Sequence, residues 1–223
     1  MPKIYEKKMS ATAALTTGRT LDYAAPVYDW LAPIMVFGFE QRCAGLVIQK
    51  MELEKTHRVL DVGCGTGSLT LKIADVLDNT GSVVGVDAAE GMLAVARKKS
   101  GSYSNLSFDA ALAEKLPYSD ESFDRAVSTF FFHHIDYDLK QKALSEIWRT
   151  LVPGGKAVVV DVDIPTTWFG KVCAWSGYKL FHQEEIRENI EGRLREAFDA
   201  SSFRTWTQVS HHSGYMSMFE LTK

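Results

Sequence analysis

The run VLDVGCGTGSLTLKIA, beginning at Val59, constrains this chain more than any other stretch. A short β-branched, apolar segment leads into Gly63, Gly65 and Gly67 at alternate positions, after which Leu69, Ile73 and Leu77 recur every four residues, as on one face of a helix. A strand that enters a helix through such glycines needs a sharp turn, and its backbone can lie against a ligand where a Cβ would collide. Asp87 ends the run SVVGVD, twenty residues after Gly67, where a carboxylate can accept hydrogen bonds from both hydroxyls of a ribose. Together these features point to a nucleoside cofactor. The dinucleotide pattern G-x-G-x-x-G, counted from Gly63, would need a glycine where Ser68 stands. Asp61, two residues ahead of Gly63, would repel a pyrophosphate and suit a ligand carrying ammonium and sulfonium charge, as S-adenosylmethionine does.

Around this run, strand-like and helix-period segments alternate, the pattern of an α/β sheet covered on both faces. Candidate strands are residues 58–62, 82–87, 105–110, 123–130 and 156–163. Helical stripes run through Met92, Val95 and Ala96, and through Leu144, Ile147, Trp148 and Leu151. Ile186, Ile190, Leu194 and Phe198 line one face of a later helix, followed by two strand-like pieces split at the turn-prone Ser213-Gly214. Residues 21–55 and 164–183 break the alternation; the first is helical and aromatic-rich. Insertions at strand carboxyl ends are where open α/β sheets place ligand contacts.

Composition narrows the function. The chain has 223 residues, 46% hydrophobic and 24% charged, with 25 Lys+Arg against 28 Asp+Glu, so it is neither disordered nor collagen-like and shows no basic excess for nucleic acid. Cys43, Cys64 and Cys173 match neither a disulfide framework nor a paired-thiolate zinc site, and the expected setting is reducing and cytoplasmic, with no metal. The N-terminal stretch lacks the apolar block of a signal peptide. Asp22, Pro26, Asp29 and Pro33 argue against a bilayer-spanning helix over 21–39, leaving peripheral membrane contact open.

The sequence resembles the class I S-adenosylmethionine-dependent methyltransferases. VLDVGCGTG is similar to the family's first motif, and GVDAAEGMLAVARKK to its ribose-binding strand and helix. AEKLPYSDESFDRAVSTFFFHHI resembles the segment D-A-E-x-L-P-F … S-F-D … H-H, and LSEIWRTLVPGGKAVVVD the fifth strand with its preceding turn. The resemblance covers about residues 57–163 and implies a Rossmann-like, seven-stranded, mostly parallel sheet with an antiparallel C-terminal hairpin. One domain over 1–223 is expected: a helical cap (1–56), a cofactor-binding core (57–163), a lid-like insertion (164–183), and a C-terminal helix and hairpin (184–223). It further implies a cofactor cleft formed by Tyr28, Asp61, Gly63, Cys64, Gly65, Gly67, Asp87, Ala88, Met92, Leu112, Ala113 and Thr129. Leu112 stands where the family commonly has an Asp that accepts from the adenine amino group, so adenine is expected to rest on apolar packing and the amide of Ala113, or on Asp109 through a shifted register.

Methyl transfer from a sulfonium is an in-line displacement that needs alignment, desolvation and, for a poor nucleophile, a base. His133 and His134, after the fourth strand, are the candidate bases for a phenolic or enolic proton; the alternative is that they only shape the pocket. Asp136 and Asp138 read as caps of the next helix, His211 and His212 as sheet-surface residues, and Cys64 as a small loop residue rather than a nucleophile. The segment LDYAAPVYDWLAPIMVFGFEQR broadly resembles the entry helix of quinone and phospholipid methyltransferases, and Tyr23, Tyr28 and Trp30 are expected to close over the sulfonium. Trp168, Phe169, Trp175, Tyr178 and Phe181 add an expected aromatic lid over an apolar acceptor such as a quinone precursor or lipid head group, although core or oligomer contacts are the other reading. A soluble aromatic or amine acceptor, a non-catalytic cofactor-binding subunit and an NAD-dependent oxidoreductase are the alternatives.

Overall fold

The computed structural model describes residues 12, 15, 16, 18, 39–78, 80–101, 103–181 and 183–223. They form α1 (Phe39–Met51), β1 (Arg58–Val62), α2 (Ser68–Val76), β2 (Ser82–Asp87), α3 (Glu90–Ser100), β3 (Leu106–Ala110) and β4 (Phe123–Thr129). After a 3-10 turn (Phe132–His134) come α4 (Tyr137–Thr150), β5 (Leu151–Val162), α5 (Trp168–Phe181), α6 (Glu184–Ile190), α7 (Arg193–Asp199), β6 (Thr205–His212) and β7 (Met216–Thr222). The seven strands form one sheet in the order β3-β2-β1-β4-β5-β7-β6. The first five are parallel, and β7 runs antiparallel to both β5 and β6.

The central strands are apolar on both faces because helices cover both. Leu60, Ala126 and Val159 point into one core with Leu144 and Ile147 of α4 and Phe198 of α7. Their neighbours Val59, Val127 and Val158 point to the opposite core, with Cys43, Val47 and Met51 of α1 and Ile73 of α2. Asp136 caps α4 by accepting from the Leu139 amide at 2.9 Å, while Asp138 lies in the first turn. Chain order reverses between β1 and β4, and this switch point opens a crevice at the strands' carboxyl ends.

Several boundaries differ from the sequence reading. Strand β5 starts at Leu151, not Lys156, because the Leu-Val-Pro-Gly-Gly run joins the ladder across a register shift opposite Phe123 and Arg125. The single helix expected through Ile186 and Phe198 is two, broken at Gly192, whose φ of 98° is left-handed and cannot continue an α-helix. On α3 the buried side chains are Met92, Leu93 and Ala96, with Val95 only half-buried. Most of the expected N-terminal cap, including Tyr23, Tyr28 and Trp30, lies outside the described residues.

Candidate active site

The crevice at the β1–β4 switch point encloses about 970 Å³, counted out to its open mouth, and runs from the glycine turn to the segment after β4. Of the residues expected there, Gly63, Cys64, Gly65, Asp87, Ala88, Met92, Leu112, Ala113, Thr129 and His134 line it.

The three glycines of the turn are all left-handed, but they serve different ends. A Cβ on Gly63 would lie 2.6 Å from the Phe131 ring, and one on Gly67 would strike Phe108, so both are glycine to let an aromatic ring approach the main chain. Gly67 accordingly sits outside the cleft lining. A Cβ on Gly65 would meet nothing within 4 Å; it would project into open space at a residue that lines the cleft, which is the cradle a ligand fills. The Asp87 carboxylate holds this turn: Oδ2 accepts from the Gly65 amide at 2.9 Å and Oδ1 from the Ala89 amide at 2.8 Å. A carboxylate has further lone pairs for the hydroxyls of a ribose.

Asp61 lies beneath the turn rather than on the cleft wall, 1% exposed. Thr70 Oγ1 donates to its Oδ2 at 2.6 Å, and its Oδ1 is buried with no hydrogen-bond partner. Burial pushes its carboxyl up to about 7, against the Thr70 hydrogen bond, and the charge of Asp87 adds to the rise. A buried acceptor of this kind is stabilised by a cation bound nearby. The orphaned oxygen and the cradle at Gly65 therefore fit a nucleoside that carries positive charge. Burial first, then the charges of Asp87 and Asp61, push the Cys64 thiol well above its usual range, which leaves it a poor nucleophile.

Leu112 is half-buried on the wall where adenine is expected. The shifted-register alternative does not hold: Asp109 is outside the cleft and accepts from the Tyr118 hydroxyl at 2.7 Å. Sequence reasoning missed the carboxylate that does line this wall, Glu114, whose Oε1 accepts from Thr16 Oγ1 at 2.7 Å. Thr16 and Gly18 bring the N-terminal segment to the cleft from outside the region the motifs cover. Phe130 and Phe131 were also missed. Phe130 has a φ of 54°, rare for an aromatic residue, and a left-handed residue directly after the FDRAVST strand leaves no trace in hydrophobic pattern.

The two histidines separate. His134 lines the cleft, whereas His133 turns away: its Nδ1 lies 2.7 Å from Oδ1 of Asp161, a fully buried carboxylate that also accepts from the Phe132 amide at 2.7 Å. The rings stand 4.0 Å apart, centroid to centroid. The aromatic segment 164–183 departs further from expectation. It forms α5, none of whose described residues lines the cleft, and Trp168, Phe169 and Trp175 face outward. The helix is anchored by Ala174 in the α1–α2 core, by half-buried Cys173 and Tyr178 packed against it, and by Gly170 against the backbone of Gly214. Among the described residues no group of His, Cys, Asp and Glu could hold a metal ion, and no helix is long and apolar enough to cross a membrane.

Residues 59–155 match the family described as "Methyltransferase domain". The ubiquinone/menaquinone biosynthesis C-methyltransferase of Blochmanniella floridana is 35% identical over 146 residues, covering 64% of this chain and 57% of that protein. A demethylmenaquinone methyltransferase of Staphylococcus aureus is 35% identical over 195 residues, covering 79% of this chain and 80% of that one. The chain spans between 56% and 64% of the length of the first relatives it matches. A crystal structure of a SAM-dependent methyltransferase from Aquifex aeolicus superposes with a TM-score of 0.65 at 19% identity, covering 92% of this chain and 99% of that one, a likeness of fold. With the cradle at Gly65 and the carboxylates of Asp61 and Asp87 beside it, the chain belongs to the class I S-adenosylmethionine-dependent methyltransferases, in the family of the ubiquinone/menaquinone methyltransferases.

Proposed function

We propose that this protein transfers the methyl group of S-adenosylmethionine to a ring carbon of a reduced quinone precursor. Asp87 would hold the ribose, Gly63, Gly65 and Ala88 would form the floor, Met92, Leu112 and Ala113 would pack on adenine, and Thr129 and His134 line the part of the cleft that follows β4. Bound here, the cofactor supplies an electrophilic methyl on a sulfonium. The chain's own tasks are to exclude water with Phe130, Phe131 and Ile135, and to accept a hydroxyl proton from the acceptor, which turns a weakly nucleophilic ring carbon into a phenolate-activated one. His134 carries that second task, because it is the histidine on the cleft wall; this placement, in a cleft otherwise rich in apolar side chains, is the observation that supports a phenolic, greasy acceptor over an amine. His133, hydrogen-bonded to Asp161, braces the turn that presents it.

The acceptor's tail makes peripheral contact with a membrane part of the same proposal, and the three free cysteines favour a cytoplasmic setting. The test is incubation with methyl-labelled cofactor and a demethylated quinol, followed by extraction into an organic phase. Label on the ring carbon of the extracted quinone is expected, and His134→Ala should lower kcat by about 10²–10⁴ with S-adenosylhomocysteine affinity retained. Label that reaches only soluble amines would refute the reading.

A further inference from the structure

Helix α5 is built inside out for a helix on a water-facing surface. Gly170, buried against Gly214, and Ala174, 3% exposed, face the protein together with half-buried Cys173 and Tyr178, while Trp168, Phe169, Val172 and Trp175 face away. Trp168 is 79% exposed, Phe169 50% and Val172 48%, with Trp175 and the preceding Ile164 also exposed. Elsewhere among the described residues only Leu15, Val76 and Tyr103 are large, apolar and exposed. At about 100° per residue, Trp168, Lys171, Val172, Trp175 and Lys179 fall within about 100° of one face.

The charge on this face has one sign. Lys171 and Lys179 are exposed, and neither ammonium has a hydrogen-bond or ion-pair partner among the described residues. No acidic residue occurs from Ile164 to Phe181. The first acid beyond it, Glu184, is engaged: it accepts from the Tyr178 hydroxyl and pairs with Arg187. A two-fold contact with a second copy would set these lysines near one another with no acid from the helix to offset them. A surface of exposed tryptophan and phenylalanine flanked by lysine matches instead the boundary of an anionic bilayer, where the rings enter the headgroup region and the ammonium groups meet phosphate.

The face also stands at the right end of the molecule. Val160 pairs with Thr129, which lines the cleft, and β5 ends two residues later at Val162, so α5 begins at the end of the sheet where the cleft opens. We propose that the outward face of α5 seats the enzyme on an anionic lipid bilayer, bringing the cleft to the surface from which a lipid-borne acceptor is drawn. The second half of this proposal rests on the acceptor proposed above; the docking itself does not.

The experiment is co-sedimentation of the full chain with phosphatidylcholine vesicles, with and without phosphatidylglycerol, at low and high salt. Binding is expected only to the anionic vesicles, weakening as salt rises. Trp168→Ala with Trp175→Ala, and separately Lys171→Gln with Lys179→Gln, should each lower the partition coefficient about tenfold or more. Because these side chains are exposed, melting temperature and S-adenosylhomocysteine affinity should stay unchanged; Lys171→Gln with Lys179→Gln alone decides the matter should the tryptophan variant misfold. Equal binding to neutral vesicles, no binding to either, or a concentration-dependent dimer abolished by the tryptophan pair would overturn the proposal. Vesicle binding without methylation of any quinol would refute the acceptor and leave the docking standing. Methylation of a tail-less quinol by a chain that ignores vesicles would do the reverse.

Discussion

Replacing Asp61 by Asn should make the ligand-free protein more stable and its cofactor weaker-bound, both above pH 7. The Asp61 carboxyl rises to about 7 from an ordinary 3.8, burial being the main cause. Between those values the folded chain holds a proton that the unfolded chain has released. Stability therefore falls as pH rises through this window, by up to about 1.4 kcal/mol per pH unit from this one group, and levels off above pH 7. The full penalty is about 4 kcal/mol at most. In Asp61→Asn the Thr70 hydrogen bond persists to the amide oxygen, while the amide's own donors meet the same unpartnered space, at a cost of about 1–3 kcal/mol. The difference leaves the variant about 1–3 kcal/mol more stable at pH 8 and no better than wild type at pH 4. Binding should move the opposite way. A cationic cofactor pulls the Asp61 carboxyl down, so wild-type affinity for S-adenosylmethionine should tighten from pH 5.5 to 7.5 and the variant's should not. Urea unfolding at half-unit pH steps and calorimetric titration across the same range measure both curves. Every other ionisable group is common to both proteins and cancels in the difference. Parallel stability curves would show that Asp61 ionises normally; divergent stability with parallel binding curves would show that its charge does not reach the ligand.

Asp87→Ala removes both the ribose acceptor and the partner of the Gly65 and Ala89 amides, and should weaken S-adenosylhomocysteine by about a hundredfold, roughly 3 kcal/mol, in calorimetry. Leu112→Asp, at a half-buried position on the cleft wall, should keep or tighten cofactor binding with little change in melting temperature. A fold weakened by several kcal/mol would instead mean that Leu112 belongs to the core. Gly63→Ala and Gly65→Ala should part company in a thermal melt: the first drives a Cβ into Phe131 and should cost about 2 kcal/mol or more, the second only about 1 kcal/mol of left-handed strain. Only Gly65→Ala should depress binding beyond its effect on stability.

Much of the cofactor half of the cleft was legible in the chain itself. A left-handed turn announces itself through glycine, a buried parallel strand through a β-branched run, and the carboxylate proposed to hold the ribose through its place at the end of the next strand. Each of these is written within a few residues, so VLDVGCGTG, SVVGVD and the segment at Leu112 lead directly to walls of the observed cleft. The seven-stranded, mostly parallel sheet and its antiparallel close followed from the family resemblance and agree with the structure, whereas the strand order is read from the structure alone.

Questions of direction were settled by contacts between distant parts of the chain. Adjacent histidines are alike in sequence; the buried carboxylate of Asp161, on a different strand, draws His133 away and leaves His134 on the cleft. Asp61 reads as a group facing the ligand, and burial beneath its own turn instead pushes its carboxyl up to about 7. The aromatic residues of 164–183 suggested a lid because large apolar side chains usually turn inward. Here Gly170 and Ala174 can approach the Gly214 backbone and the second core more closely than any aromatic could, so they take the inner face and send Trp168 and Trp175 outward. Composition and periodicity say that a helix has an apolar face, but which side of it meets the protein depends on the shape of the surface it packs against, and that surface exists only once the sheet has formed.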